Sequence, residues 1–209
     1  MRVLEKGRPL RRPFSFRRFS FCPRRVMTLI HTRRFLLRPI EEIDAPVFAR
    51  LCNDEQIARN TSRIPHPYTL EDAEGFTAAI SQAFALGKEF AFAVCDNGEL
   101  IACCGVTRIT IELYELGYWV SAPARGCGVA TEAARAVSHF AFAERSAEKL
   151  LAGHFTDNPA SGRVLEKTGF RKTGETRKQF SLGRGGEAES ARMAMMREDF
   201  APPPDVTFA

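Results

Sequence analysis

The sequence lacks any uninterrupted apolar run near the roughly 18 residues that a membrane-spanning helix needs. Its longest, Phe90 to Cys95 and Ile101 to Val106, are the size of strands. Its six cysteines form no C-x-x-C pair and join no Cys/His grouping with zinc spacing, so no metal site is expected. Cys22, Cys52, Cys95, Cys103, Cys104 and Cys127 read instead as free, reduced thiols used as small apolar fillers, which suits a cytoplasmic protein. Histidine is scarce. His139 falls mid-helix beside Phe140 and His154 ends a strand, and neither has a nucleophile partner visible in the sequence. There is no internal repeat. With 44% hydrophobic and 26% charged residues, membrane-spanning, collagen-like, mucin-like and wholly disordered chains are excluded, and 209 residues suit one sizeable domain.

The net charge of +5 suggests a nucleic-acid partner only until the chain is divided. Residues 1–26 hold eight Arg and Lys6 against the single acid Glu5, a net of +8, which leaves −3 for the rest. The basicity therefore belongs to a terminal extension, and charge gives the body no reason to bind nucleic acid. Rich in Arg, Ser and Phe, the extension reads as a transit-like segment, as a basic arm for RNA, the ribosome or anionic lipid, or as a stretch preceding a working start at Met27. It has no sustained period of 2 or 3.6, and disorder is expected under each reading.

Residues 27–200 carry regular patterns. Phe35 to Pro39 reads as a strand, and Asp44 to Cys52 as a short helix with Val47, Phe48 and Leu51 on one face. The prolines of residues 62–68 mark a loop. Thr69 opens a helix with Asp72 as a capping-box partner, its buried face carrying Ala73, Phe76, Ile80, Ala83 and Phe84. Two strands, Glu89 to Cys95 and Glu99 to Val106, flank the turn Asp96-Asn97-Gly98, because Asn-Gly tolerates positive φ. A further strand spans Leu113 to Ser121. A helix with an apolar stripe from Ala130 to Ala141 covers Thr131 to Arg145, a strand covers Lys149 to Phe155, and a helix covers Pro159 to Thr168 with Gly169 as its stop. Phe170 to Leu182 and Ser190 to Glu198 read as two last strands. The prolines after Ala201 end regular structure, so residues 201–209 are expected to be a disordered tail. The class is mixed α/β.

One stretch carries chemistry. Residues 123–133 run from a strand into a glycine-rich turn and straight into a helix N-terminus. Such a turn gathers backbone N–H groups at the positive end of a helix dipole, a place for a phosphate or pyrophosphate. Gly126 and Gly128 let the backbone come close to the anion, and Arg125 adds charge. The Walker pattern fails because no Lys-Ser/Thr closes the loop. The dinucleotide fingerprint fails because Thr131 stands where its last glycine belongs.

Arg125-Gly126-Cys127-Gly128-Val129-Ala130 resembles the Q/R-x-x-G-x-G/A signature of GNAT N-acetyltransferases at every defined position. Around it, Glu115-Leu116-Gly117-Tyr118-Trp119-Val120 and Asn158 to Phe170 look like the Rim-type branch, which acetylates ribosomal-protein N-termini. Ile64 to Ala73 is similar to the segment before that branch's central sheet. The resemblance implies a GNAT fold: a mostly antiparallel sheet of about six to seven strands, splayed between the fourth and fifth, with about four flanking helices. Acetyl-CoA would lie in the splay as cosubstrate, with no metal. The amides of Arg125, Gly126, Cys127, Gly128, Val129 and Ala130 would take its pyrophosphate, Tyr118, Trp119 and Val120 would offer backbone groups to its pantetheine arm, Asn158 would hydrogen-bond it beyond the fifth strand, and Thr131 and Ser161 would also touch it.

Such a reaction is mainly placement of an amine against a thioester, with one carboxylate in reach to take a proton. Glu115 is the candidate base, beside the plainer reading that it satisfies neighbouring backbone. Many members carry a Tyr as acid just before the Glu-Lys-x-Gly-Phe stretch; here Leu165 stands there, and Ser161 occupies the position the Rim branch uses. A serine near a helix start also serves as an ordinary N-terminal residue. Cys127 reads as a loop filler, since direct transfer needs no nucleophile. His66 and Tyr68 read as acceptor-pocket or turn residues. The expected acceptor is a protein N-terminus or a small-molecule amine, and the expected assembly a monomer or homodimer.

Overall fold

The computed structural model describes residues 28–209. The basic extension, with its targeting and RNA-binding readings, lies outside the described residues. Among the described residues nine strands form one open sheet: β1 (Ile30–His31), β2 (Leu36–Pro39), β3 (Glu89–Asp96), β4 (Glu99–Arg108), β5 (Leu113–Val120), β6 (Lys149–Phe155), β7 (Arg171–Ser181), β8 (Gly186–Met196) and β9 (Thr207–Phe208), in the order β7-β8-β6-β5-β4-β3-β2-β1-β9. Every neighbouring pair is antiparallel except β5 and β6. The turn between β3 and β4 has Asn97 at φ 47° and Gly98 at φ 87°, the left-handed pair that the Asn-Gly sequence anticipates.

Five helices cover the sheet: α1 (Ala45–Cys52), α2 (Glu55–Asn60), α3 (Leu70–Ala85), α4 (Val129–Glu144) and α5 (Pro159–Thr168). Strand alternation separates two cores. On one face Phe90, Phe92, Val106, Tyr114 and Leu116 pack beneath Ala133, Val137, Phe140 and Ala141 of α4. On the other, Ala91, Ala93, Cys103 and Trp119 pack beneath Phe48 of α1 and Ala73 and Ile80 of α3. Cys103 and Cys104 thus point to opposite faces, and the described cysteines are free thiols, buried except for Cys127. The Thr69 hydroxyl accepts from the Asp72 amide while the Asp72 carboxylate accepts from Thr69, the capping box read from sequence.

Several features differ from the sequence reading. The sheet has nine strands because two two-residue strands, β1 and β9, are too short for a period to register. They pair with each other, Ile30 opposite Phe208, and Leu29 and Ala209 exchange backbone hydrogen bonds of 2.8 and 2.9 Å. The end of the chain, expected to be disordered from residue 201, therefore closes the far edge of the sheet, with Phe208 set against His139 and Phe140. Helix α2 was not anticipated. Helix α4 starts two residues before Thr131, and β7 and β8 meet at a shorter turn than expected. Among the described residues no helix is long and apolar enough to cross a membrane.

Candidate active site

Strands β5 and β6 pair at only three positions, Leu113 with Lys149, Tyr114 with Leu150 and Glu115 with Leu151. Beyond Glu115 they part, because β6 continues along β8 as far as Phe155 while β5 stays with β4. The splay falls between the strands expected to be fourth and fifth. It opens a cleft of about 400 Å³ between the end of β5, the glycine turn, α4, α5 and the unforeseen α2. Among the proposed cofactor residues all but Cys127 line it. On the gap side, the backbone groups of β5 beyond Glu115 have no strand partner.

The turn is built as its glycines require. Gly126 (φ 77°) and Gly128 (φ 79°) are both left-handed, and Gly128 is the N-cap of α4 with no side chain capping the helix. The first amides of a 16-residue helix are thus left to face the cleft, a fit for a pyrophosphate. Arg163 and Lys167, four apart on α5, add two cations to the lining; their i, i+4 spacing was the available signal and was not read. Arg125, in contrast, has its guanidinium engaged by the wall itself. Its Nε donates to the Val120 carbonyl (3.2 Å), Nη1 to Gln56 (2.7 Å), and Nη2 pairs with Asp54 (2.9 Å). Burial opposes ionisation of Asp54, but the Arg125 hydrogen bond and the Ile57 and Gln56 amides prevail, and its pKa is lowered. Arg125 therefore fastens α2 to the turn, bringing Gln56, Ile57, Asn60 and Thr61 into the wall. Asp54, which caps α2 by accepting from the Ile57 amide, was the legible sign of that helix.

From the other side, Arg34 donates to the Cys127 carbonyl (2.9 Å) and pairs with Glu132 (2.7 Å), which also accepts from Thr32 (2.7 Å). Burial raises the Glu132 pKa, yet the Thr32 and Arg34 hydrogen bonds outweigh it and the net shift is downward. The segment between β1 and β2 thereby holds the glycine turn in place.

At the opposite wall, Asn158 caps α5 by accepting from the Ser161 amide (3.2 Å). Ser161 meets Tyr118 across the splay, Oγ to Oη 2.8 Å, with the phenol also donating to the Ser161 carbonyl (3.1 Å). Leu165 is buried in the core. The His154 ring lies on Gly162, where a Cβ would come within 2.8 Å of Nε2.

Glu115 lies on the face opposite Ser161. Its carboxylate is 2.7 Å from Arg192 and 3.6 Å from Arg177. Arg192 reaches it over Gly153, where a Cβ would come within 2.6 Å of the guanidinium. Gly117 and Gly153 flank the opening on this face, and a side chain at Gly117 would meet nothing within 4 Å, so the floor beside Glu115 is clear.

A latch closes the far end. The β7–β8 turn reaches α2, with Ser181 donating to the Thr61 carbonyl (2.7 Å) and Arg184 and Arg59 both gripping Asp157, at 2.8 and 3.0 Å. Hydrogen bonds from Arg184, then Arg59, hold the Asp157 pKa at about 2. A carboxyl whose pKa is depressed on folding stabilises above its unfolded value near 4 and loses that contribution as pH falls toward 2. Melting temperature measured from pH 5 to 2 is expected to fall less steeply in Asp157→Asn than in the parent. At neutral pH the variant should melt only about 1–4 °C lower, because a half-exposed pair contributes about 1 kcal/mol at most. Parallel pH curves would remove the latch from the acid response.

Residues 34–171 match the acetyltransferase (GNAT) domain family. The chain is 32% identical over 163 residues to the N-acetyltransferase YoaA of Bacillus subtilis, covering 73% of this chain and 88% of that one. It is 27% identical over 164 residues to the probable N-acetyltransferase YjcK of the same organism, covering 74% and 90%. Among solved structures, Mycobacterium smegmatis RimJ in complex with CoA-disulfide superposes with a TM-score of 0.74 at 20% identity, over 83% of this chain and 88% of that one. A GNAT-family acetyltransferase from Bacillus anthracis gives 0.70 at 23% identity, over 81% and 99%. With a splayed sheet, a glycine turn that opens α4 and a family match across both, the chain belongs to the GNAT acetyltransferases.

Proposed function

We propose that this acetyltransferase moves an acetyl group from acetyl-CoA to a primary amine, on a protein N-terminus or a small molecule, with both substrates bound at once. The observation that carries the reading is the uncapped N-terminus of α4 behind two left-handed glycines, opening where β5 leaves β6. In this reading the amides of Gly126 to Thr131 hold the pyrophosphate, Arg163 and Lys167 supply positive charge, and the unpaired edge of Tyr118 to Val120 orients the pantetheine arm. Acetyl-CoA supplies the activated acetyl group; the chain supplies position. Fixing an amine against it replaces a bimolecular encounter, worth up to roughly 7–11 kcal/mol. One β5 amide aimed at the carbonyl oxygen adds about 3 kcal/mol. The amine comes over Gly117 from the α1–α3 face, and reaching Glu115 displaces Arg177, the longer of its two ion pairs.

A second reading, a CoA-binding module with little turnover, draws on the two arginines held by Glu115 and on Leu165 in place of a tyrosine. One experiment separates them. Acetyl-CoA at a hundredfold its dissociation constant should stabilise the protein by about 2.7 kcal/mol, raising the melting temperature by roughly 5–10 °C. Thiol release is then followed with N-terminal peptides, polyamines, amino acids and aminoglycosides as acceptors. A shift with release supports the transferase, a shift with none supports the binding module, and no shift overturns both.

A further inference from the structure

The Ser161 hydroxyl is not a free side chain at a helix start. It is one member of a two-residue assembly whose other member, Tyr118, comes from the opposite wall of the splay. Resting on the transferase reading, we propose that Tyr118 is the positioning residue for Ser161, presenting its hydroxyl hydrogen to the sulfur that leaves when the thioester breaks.

The phenol has a single hydrogen, which reaches either the Ser161 carbonyl at 3.1 Å or the Ser161 hydroxyl oxygen. The Ser161 Oγ stands 2.8 Å from the same phenol oxygen. That contact can run either way: when the phenol hydrogen goes to Oγ, the serine hydrogen is free to turn into the cleft that both residues line, and this is the orientation that meets the sulfur. The Ser161 backbone is held in place, its amide donating to Asn158. Burial pushes the Tyr118 pKa up, so the phenol stays neutral and keeps the hydrogen the arrangement needs. The aligned hydroxyl acts by hydrogen bonding and not by giving up its proton. The N–C bond forms and the C–S bond breaks, with its electron pair going to sulfur. The amine's proton leaves by way of Glu115 to solvent, and the thiolate later takes one from water.

Binding tests this without an acceptor. The probes are CoA and desulfo-CoA, titrated calorimetrically from pH 7 to 9.5 against the parent, Tyr118→Phe, Ser161→Ala, Ser161→Thr and the double variant. A free thiol ionises near pH 8.5, so in the parent the affinity ratio of CoA to desulfo-CoA is expected to rise about tenfold across this range. Ser161→Ala should flatten that rise, Tyr118→Phe should reduce it severalfold, the double variant should match Ser161→Ala, and Ser161→Thr should restore it. Each variant's ratio is taken against its own desulfo-CoA affinity, so a general loss of binding or of fold cancels. A flat ratio in the parent, or losses that multiply in the double variant, would overturn the proposal while leaving the transferase reading intact. Failure of the parent to bind either probe would instead overturn the reading on which it rests.

Discussion

Gly128→Glu is expected to weaken acetyl-CoA binding by at least a hundredfold while the protein still folds. The backbone contribution comes first. At φ 79° any residue with a Cβ is strained, by about 1–2 kcal/mol, and the new Cβ would lie 3.4 Å from the Arg34 guanidinium, the movable end of a half-exposed side chain. That is tolerable for a folded domain and lowers its melting temperature by only about 2–8 °C. The electrostatic contribution is larger. A carboxylate about 5 Å from a phosphate repels it by roughly 3 kcal/mol at an effective dielectric of 20, and each 1.4 kcal/mol is a factor of ten. The side chain also competes for the open amides of α4. Gly128→Ala separates the two effects, since it keeps the strain without the charge and should lose about tenfold or less. Calorimetric titration of both variants with acetyl-CoA measures the difference. Equal losses would mean that conformation alone governs the turn; no loss in either would mean that the turn binds no phosphate.

Why this turn was legible and its surroundings were not follows from how each is encoded. Left-handed backbone next to an anion demands glycine, so Gly126 and Gly128 mark themselves in the chain. The face alternation of β3, β4 and β5 and the stripe on α4 are likewise written at fixed periods. The contact of Tyr118 with Ser161 joins residues 43 apart through the sheet order, and no local pattern encodes it. The same holds for Arg192 and Glu115, which meet only because β8 lies next to β6 and Gly153 leaves room between. Arg125 was legible as a cation but not in its direction, since Asp54 had to be placed first, on a helix of six residues that shows less than two turns of periodicity. At the chain's end, Pro202 to Pro204 do stop the preceding structure, yet two residues suffice to pair when β1 waits beside them.

The largest loss of stability is expected from a residue that touches no ligand. Phe140 of α4 is fully buried and meets Phe90 and Phe92 edge-on, at centroid distances of 5.5 and 5.2 Å, with Phe208 at 6.2 Å. It thereby joins the helix that opens the glycine turn to the middle of the sheet and to its last strand. Phe140→Ala removes that contact on three sides, and a rigid sheet cannot collapse into the space, so about 3–5 kcal/mol is lost. For a domain of this size the melting temperature should fall by on the order of 10 °C. Phe180→Ala supplies the comparison, because Phe180 lies half exposed on the edge strand β7 and its removal should change stability by no more than about 0.5 kcal/mol. Urea unfolding of both variants measures the two losses on one scale. Similar values would mean that α4 is not anchored through Phe140, and the placement of the turn would then rest more on the polar contacts of Arg34, Glu132, Thr32 and Arg125.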